Sequence, residues 1–417
     1  MLTRSIILLF VMLNLFTHPA GAQKTEMTIE QAVEQVLDSD PRIASWKSDI
    51  EVYRGERITA ETLPNPELSY EREDLSGKSS SEGEEILTVE YPFNVFWQRS
   101  PLIKEAEARI NFAENVFSHS RIALTFETRK AYLAYHFATM DTMTMNSSVN
   151  ALIKIMRDIH IRRNEGDLAG FDYDRIALEF DRVRSDADLL ELEYQTALKE
   201  LIVLLGTVAS EPPNTILPEP SIDTTFSREQ ALRTALEHRE DLMAAEVTVI
   251  AEEFKRKFLS REAWPKVTVG VGYKRDFDDL RGPVSRIGLS IPIVDRKQGA
   301  KLSAKARHRS AELNIEDIRR TIHRETEQAY DRLEKYKNLY ERQQTGILIQ
   351  SSRLLETALV TYGEGELNVT ELIDVIRAHI EAGLRSNRIH FNYLLSIYEL
   401  DYVTAGLFVS SAITTNK

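Results

Sequence analysis

The chain has 417 residues, no cysteine and a net charge of −13 at neutral pH. That length can bury a large core or divide into several domains. The acidic balance argues against a nucleic-acid partner, which needs a basic footprint. The absence of cysteine excludes disulfides, thiolate chemistry and a lipid-modified N-terminal Cys.

In chain order, Arg4 precedes an apolar run, Ile6 to Phe16, and a small-x-small site at Ala20 and Ala22. This pattern predicts a secretory signal peptide, residues 1–22. No later stretch supplies the twenty or so apolar residues of a membrane-spanning helix, so strands are the only segments that could enter a membrane. A secreted chain of that kind points to a Gram-negative envelope. Thr28 to Leu37 reads as a short amphipathic helix capped by Thr28, and Asp40-Pro41 opens a second helix that Pro64-Asn65-Pro66 ends. Residues 66–92 then read as a hairpin, with Leu68, Tyr70, Val89 and Tyr91 alternating with Ser69, Glu71, Thr88 and Glu90. An almost unbroken helical pattern follows from about Gln98 to Arg163. A turn at 163–172 leads into a helix from Asp172 to Leu205 that Gly206 terminates, and prolines mark a linker over 207–226.

The second half repeats the first. Glu30-Gln31-Ala32-Val33 returns as Glu229-Gln230-Ala231-Leu232, 199 positions on (229 less 30). Pro66, Ala131-Tyr132 and the turn at Gly166 have counterparts at Pro265, Ala329-Tyr330 and Gly365 with nearly the same offset. The repeats are 23–206 and 227–410, and 411–417 is a tail. The second hairpin, 265–292, alternates more strictly: Val267, Val269, Val271 and Tyr273, then Ile287, Leu289 and Ile291, interleave with small, polar or cationic residues. The second tip is 362–371. A helix of about 65 residues is about 100 Å long at about 1.5 Å per residue, so it must pack side by side with others. The expected fold is mainly α with a membrane β part. Four strands cannot close a barrel alone, so several copies must share one, and three copies give the smaller solution with a channel.

The ordered set resembles the TolC-type outer-membrane efflux proteins over essentially the whole mature chain. The residues that carry this are the twofold repeat, Thr28-Ile29-Glu30-Gln31-Ala32, Leu63-Pro64-Asn65-Pro66-Glu67-Leu68, and the tip from Tyr362 to Asp374. Within the family the pattern is most similar to heavy-metal (CzcC/CusC-like) members. The resemblance implies a homotrimer with a twelve-stranded barrel in the outer membrane and a long α-helical periplasmic tunnel. It implies a passive duct served by a periplasmic adaptor and an inner-membrane pump of the RND type. It places a periplasmic gate of two acids three residues apart on Glu371 and Asp374, the first a Glu where the family pattern has Asp. It places the adaptor-docking tips at Gly166, Asp167 and Leu168 and at Gly365, Glu366 and Leu367.

Other features carry less. Met140, Met143 and Met145 are read as packing rather than as copper ligands. The histidines form no zinc pattern and no serine lies in a nucleophile elbow, so neither enzyme nor cofactor is expected. The alternative function is a soluble periplasmic coiled-coil scaffold, in which the hairpins would pair in water.

Overall fold

The computed structural model describes residues 26–76, 81–166, 169–207, 213–217, 226–276, 278, 280–343 and 346–408. The segments expected to be the signal peptide and the C-terminal tail, most of the expected linker, and Asp167 and Leu168 of the expected first tip lie outside these residues. The described part is mainly helical. It divides into two units, Met1–Ser39 with Glu127–Ser221 and Asn338–Leu395, and Asp40–Phe126 with Ile222–Lys337 and Ser396–Lys417. Each unit draws on both halves of the sequence.

In the first unit, β1 (Glu26–Thr28) pairs in parallel with β4 (Asn214–Ile216). Part of the stretch read as a linker is therefore a strand. It is fastened to α3 (Val95–Glu165) by three side chains within one turn and a half of helix. The buried Tyr132 hydroxyl lies 2.5 Å from the Met27 carbonyl and 2.8 Å from the Ile216 carbonyl, and accepts the Ile216 amide at 2.9 Å. Tyr135 donates to the Pro213 carbonyl at 3.1 Å, and His136 meets the Thr215 hydroxyl at 2.8 Å. From β1 the chain enters α1 (Ile29–Ser39) through a reciprocal cap: Thr28 Oγ1 accepts the Gln31 amide and Gln31 Oε1 accepts the Thr28 amide. Ile29, Ala32 and Val36 form its buried stripe.

The larger core of this unit joins α3 to α4 (Gly170–Leu205), α8 (Ile347–Gly363) and α9 (Val369–Val403). Met145, Ser148, Leu152, Ile155 and Ile159 on α3 are spaced three and four residues apart and are all buried. Tyr173, Ile176, Phe180, Val183, Ala187 and Leu190 repeat that spacing on α4. This is heptad packing, the pattern that lets very long helices lie along one another. Gly206 ends α4 in the left-handed conformation.

In the second unit, Asp40 accepts the Arg42 amide at 2.8 Å and Pro41 occupies the first turn of α2 (Pro41–Glu61). α5 (Arg228–His238) starts with a Ser227–Gln230 capping box, and α6 (Glu240–Glu262) follows. Ala235, Leu242 and Ile322, the last on α7 (Gln298–Gln343), make a small core. Between α5 and α6 the buried Arg239 forks to Asp241 at 2.7 Å and to Glu325 at 2.6 Å. Burial works against that charge, but the two carboxylates outweigh it and hold the guanidinium above its ordinary pKa. The same pairing holds Asp241 below the usual carboxylate range despite its burial.

Two features of the long helices go beyond what the sequence pattern indicates. Pro101 lies inside α3, where it removes the donor that the Trp97 carbonyl would have used. Arg261 replaces it, donating to that carbonyl at 2.8 Å, so the helix continues. In the second half the long helix is not continuous: α7 stops at Gln343, and Gly346, at φ +104, precedes α8.

The four long strands β2 (Glu67–Ser76), β3 (Ser81–Pro92), β5 (Lys266–Asp276) and β6 (Arg281–Ser290) form one antiparallel sheet in the order β2-β3-β5-β6. The two hairpins are thus joined directly, Val89 opposite Val271.

Candidate functional site

The two parts of the chain that the sequence singles out, the helical tip and the sheet, belong to different units. At the tip, Gly166 (φ +85) follows α3 and Gly365 (φ +79) follows α8. Both hold the left-handed conformation that favours glycine and lets a helix stop. After Gly365 the Glu366 and Leu367 amides return to the Thr361 carbonyl at 3.1 and 3.3 Å, and Leu367 packs against the heptad core. The next helix, α9, opens with another reciprocal cap. Asn368 Oδ1 accepts the Glu371 amide at 2.9 Å, and Glu371 Oε2 accepts the Asn368 amide at 3.2 Å. Glu371 is therefore the third residue of a capping box, a role that the Asn-x-x-Glu spacing could have revealed.

One turn on, Asp374 is exposed and lies 3.7 Å from Arg377. The stronger partner of Arg377 is Glu179 on α4, held by two hydrogen bonds of 3.1 and 2.7 Å. That carboxylate, largely buried, raises the guanidinium above its ordinary pKa. Arg377 and Glu179 are 198 positions apart and were not found from the sequence, because nothing local to either residue announces the pair. At the ends of the helices that lead into the two tips, Arg162 sits over the buried Tyr362 ring and Arg163 over Tyr173. Of the three methionines, Met145 belongs to the heptad core, whereas Met140 and Met143 are exposed. Among the described residues, no group of three or more His, Asp or Glu converges as a metal site would require.

In the sheet, register sorts the residues into two faces. On one, Leu68, Val89 and Val271 share a rung, as do Tyr91, Val269 and Ile287. Tyr70, Leu87 and Tyr273 form the next rung toward the hairpin turns, and beyond it comes Arg72, Glu85, Arg275 and Arg281. This face is apolar apart from Ser285, edged by Tyr70 and Tyr273 toward the hairpin turns, and then abruptly charged. It is also uncovered: Ile287 is 77% and Val271 63% exposed. The opposite face carries Glu71, Glu84, Glu90, Lys274, Asp276 and Arg286, with Ile86 and Val284 as exceptions. Arg286 reaches Glu90 at 3.1 Å, and Lys274 pairs with Glu84 and, at 3.3 Å, with Asp276. Gly272 lies on this face, and a Cβ there would run into the Leu87 carbonyl and Thr88 of β3. β2 and β6 each leave one edge without a partner within the sheet. Among the described residues no helix is long and apolar enough to cross a membrane.

No family model matches the chain. It is 20% identical over 364 residues to the cobalt-zinc-cadmium resistance protein CzcC of Cupriavidus metallidurans, covering 86% of this chain and 85% of that protein. Among solved structures, a membrane protein from Pseudomonas aeruginosa superposes with a TM-score of 0.76 at 20% identity, covering 90% of both chains. The CmeC outer membrane channel of Campylobacter jejuni gives a TM-score of 0.76 at 14% identity, covering 93% of this chain and 88% of that one. These likenesses establish the fold.

Proposed function

We infer that this chain, which has the fold of outer-membrane efflux channels, is the outer-membrane exit duct of a tripartite efflux system. The observation that carries the reading is the sheet. Its strands are 10 to 12 residues long, the length of tilted membrane strands, and its apolar face is open. In lipid the unpaired edges of β2 and β6 must find partners, and a second and third copy of the chain supply them. Three copies make a twelve-stranded barrel that can hold water, which suits the ion-paired face. A soluble scaffold would leave Ile287 and Val271 facing water with no return for the exposure.

The two-repeat organisation, 23–206 and 227–410, is supported by element boundaries. α1 and α5, β2 and β5, and α4 and α9 begin at 29 and 228, 67 and 266, and 170 and 369, each pair 199 apart. In a threefold assembly Glu371 and Asp374 become two rings of three carboxylates, a gate that repels itself and attracts cations. The tips around Gly166, Asp167 and Leu168 and around Gly365, Glu366 and Leu367 take the periplasmic adaptor. An RND-type inner-membrane pump supplies the energy. Heavy-metal cations are the candidate cargo, by analogy with the cobalt-zinc-cadmium resistance relative. The duct is passive and uses no cofactor.

The test is membrane fractionation followed by crosslinking of the detergent-extracted protein. A trimer in the outer-membrane fraction is expected. A soluble periplasmic monomer or dimer would refute the channel and leave the scaffold standing.

A further inference from the structure

The apolar band carried by the strands is too short for the membrane it is proposed to cross. From Val267 to Tyr273 there are six steps of about 3.3 Å, so roughly 20 Å along the strand, and about 15 Å along the normal at a tilt of about 40°. Outer-membrane barrels present a band about 25 Å tall. The shortfall of about 10 Å cannot be made up at the hairpin turns, where the rung of Arg72, Glu85, Arg275 and Arg281 is already charged.

It is made up at the helix-bearing end. Ile291 and Ile293 continue the apolar alternation of β6 beyond its last paired residue, and Val294 follows. Ile293 is 71% and Val294 86% exposed, and Leu302 in the first turns of α7 is exposed as well. Phe93, Phe96 and Trp264 are exposed at the same end, where the Phe93 amide bonds to the Val267 carbonyl at 2.8 Å. Exposed aromatics of this kind collect at the boundary between hydrocarbon and headgroups. Arg296 lies two positions after Val294, and Lys301 and Lys305 flank Leu302; among the described residues none of the three has a carboxylate partner, whereas Lys297 between them reaches Glu262 and Asp295. The turn after Val294 is specified: Asp295 accepts the Lys297 amide at 2.9 Å, Gln298 accepts the Arg296 amide at 2.8 Å, and Lys297 adopts φ +58.

Resting on the membrane reading above, we propose that residues 291–305 form an interfacial platform on the periplasmic leaflet. Ile293, Val294 and Leu302 lie in lipid, and Arg296, Lys301 and Lys305 hold anionic phospholipid headgroups. The occupant is lipid rather than another copy of the chain. Ile291 and Ile293 prolong the lipid-facing side of the sheet, Val294 stands exposed at the bend that follows, and the unpaired cations beyond complement a negative leaflet.

The absence of cysteine allows a direct test. The full chain carrying Val294→Cys, labelled with an environment-sensitive fluorophore, is reconstituted into vesicles with brominated phosphatidylcholine or brominated phosphatidylglycerol. Val271→Cys reports insertion of the sheet. Both labels should be quenched by brominated lipid. At position 294 phosphatidylglycerol should quench at least twofold more strongly, and Arg296→Gln/Lys301→Gln/Lys305→Gln should abolish that preference without altering quenching at 271. A label at 294 that no lipid quenches, or that crosslinks between copies, overturns the platform while quenching at 271 leaves the barrel intact. Equal quenching by both lipids, or a preference that survives the triple variant, overturns the headgroup site. Loss of quenching at 271 as well removes the membrane reading and the platform with it.

Discussion

Glu371 has two roles that one substitution can separate. Its carboxylate accepts the Asn368 amide at 3.2 Å as part of the α9 capping box, and it is one of the two proposed gate acids. Glu371→Gln keeps an acceptor at the third helical position and removes the charge, whereas Glu371→Ala removes both. Loss of one cap hydrogen bond at an exposed helix start costs about 0.5–1 kcal/mol. By about 1.4 kcal/mol per tenfold, that corresponds to roughly two- to fivefold faster amide exchange in the first turn of α9 if the turn opens locally. Hydrogen exchange over residues 368–372 should therefore rise for Glu371→Ala and stay near wild type for Glu371→Gln. Cation conductance in planar bilayers should change in both, and further when Asp374→Asn is added, since six carboxylates would then be gone from a trimer. Unchanged conductance and cation selectivity in Glu371→Gln/Asp374→Asn would refute the gate. Exchange that rises equally in Glu371→Gln and Glu371→Ala would refute the capping argument.

Tyr132→Phe removes the hydroxyl from three backbone groups of Met27 and Ile216 in a buried site, and should destabilise the β1–β4 junction by about 2–3 kcal/mol, read by denaturant unfolding and by increased exchange at Ile216. His136 and His390 are both held below the ordinary histidine pKa by burial, and His390 further by His136. Each binds fewer protons folded than unfolded, so the stability that their neutral forms contribute is present above about pH 6.5 and is lost as pH falls through their lowered values. Melting temperature should drop between pH 7.5 and 5.5, and less so in His136→Gln/His390→Gln. Gly272→Val should block pairing of β3 with β5, because the added side chain meets the Leu87 carbonyl, and should abolish the crosslinked trimer expected from the outer-membrane fraction while leaving the helical circular dichroism signal.

Much of the fold is legible in the sequence because it rests on local chemistry. Thr28 and Gln31, Asp40 and Pro41, and Gly166 and Gly365 mark helix ends through bonds made within a few residues. The period-two runs at 265–292 mark strands because side chains alternate between faces. Tertiary structure decided the rest. The pairing of β3 with β5 is set by register between segments about 180 residues apart, which no window of sequence contains. The rescue of the Trp97 carbonyl by Arg261, the fork of Arg377 on Glu179, and the bonds from Tyr132 to β1 and β4 likewise join distant residues. Periodicity reveals which face of an element is apolar. Only the folded chain reveals that the apolar face of the sheet stays uncovered while those of α3, α4, α8 and α9 close on a common core. Burial depends on what packs opposite, and that is a property of the assembled fold.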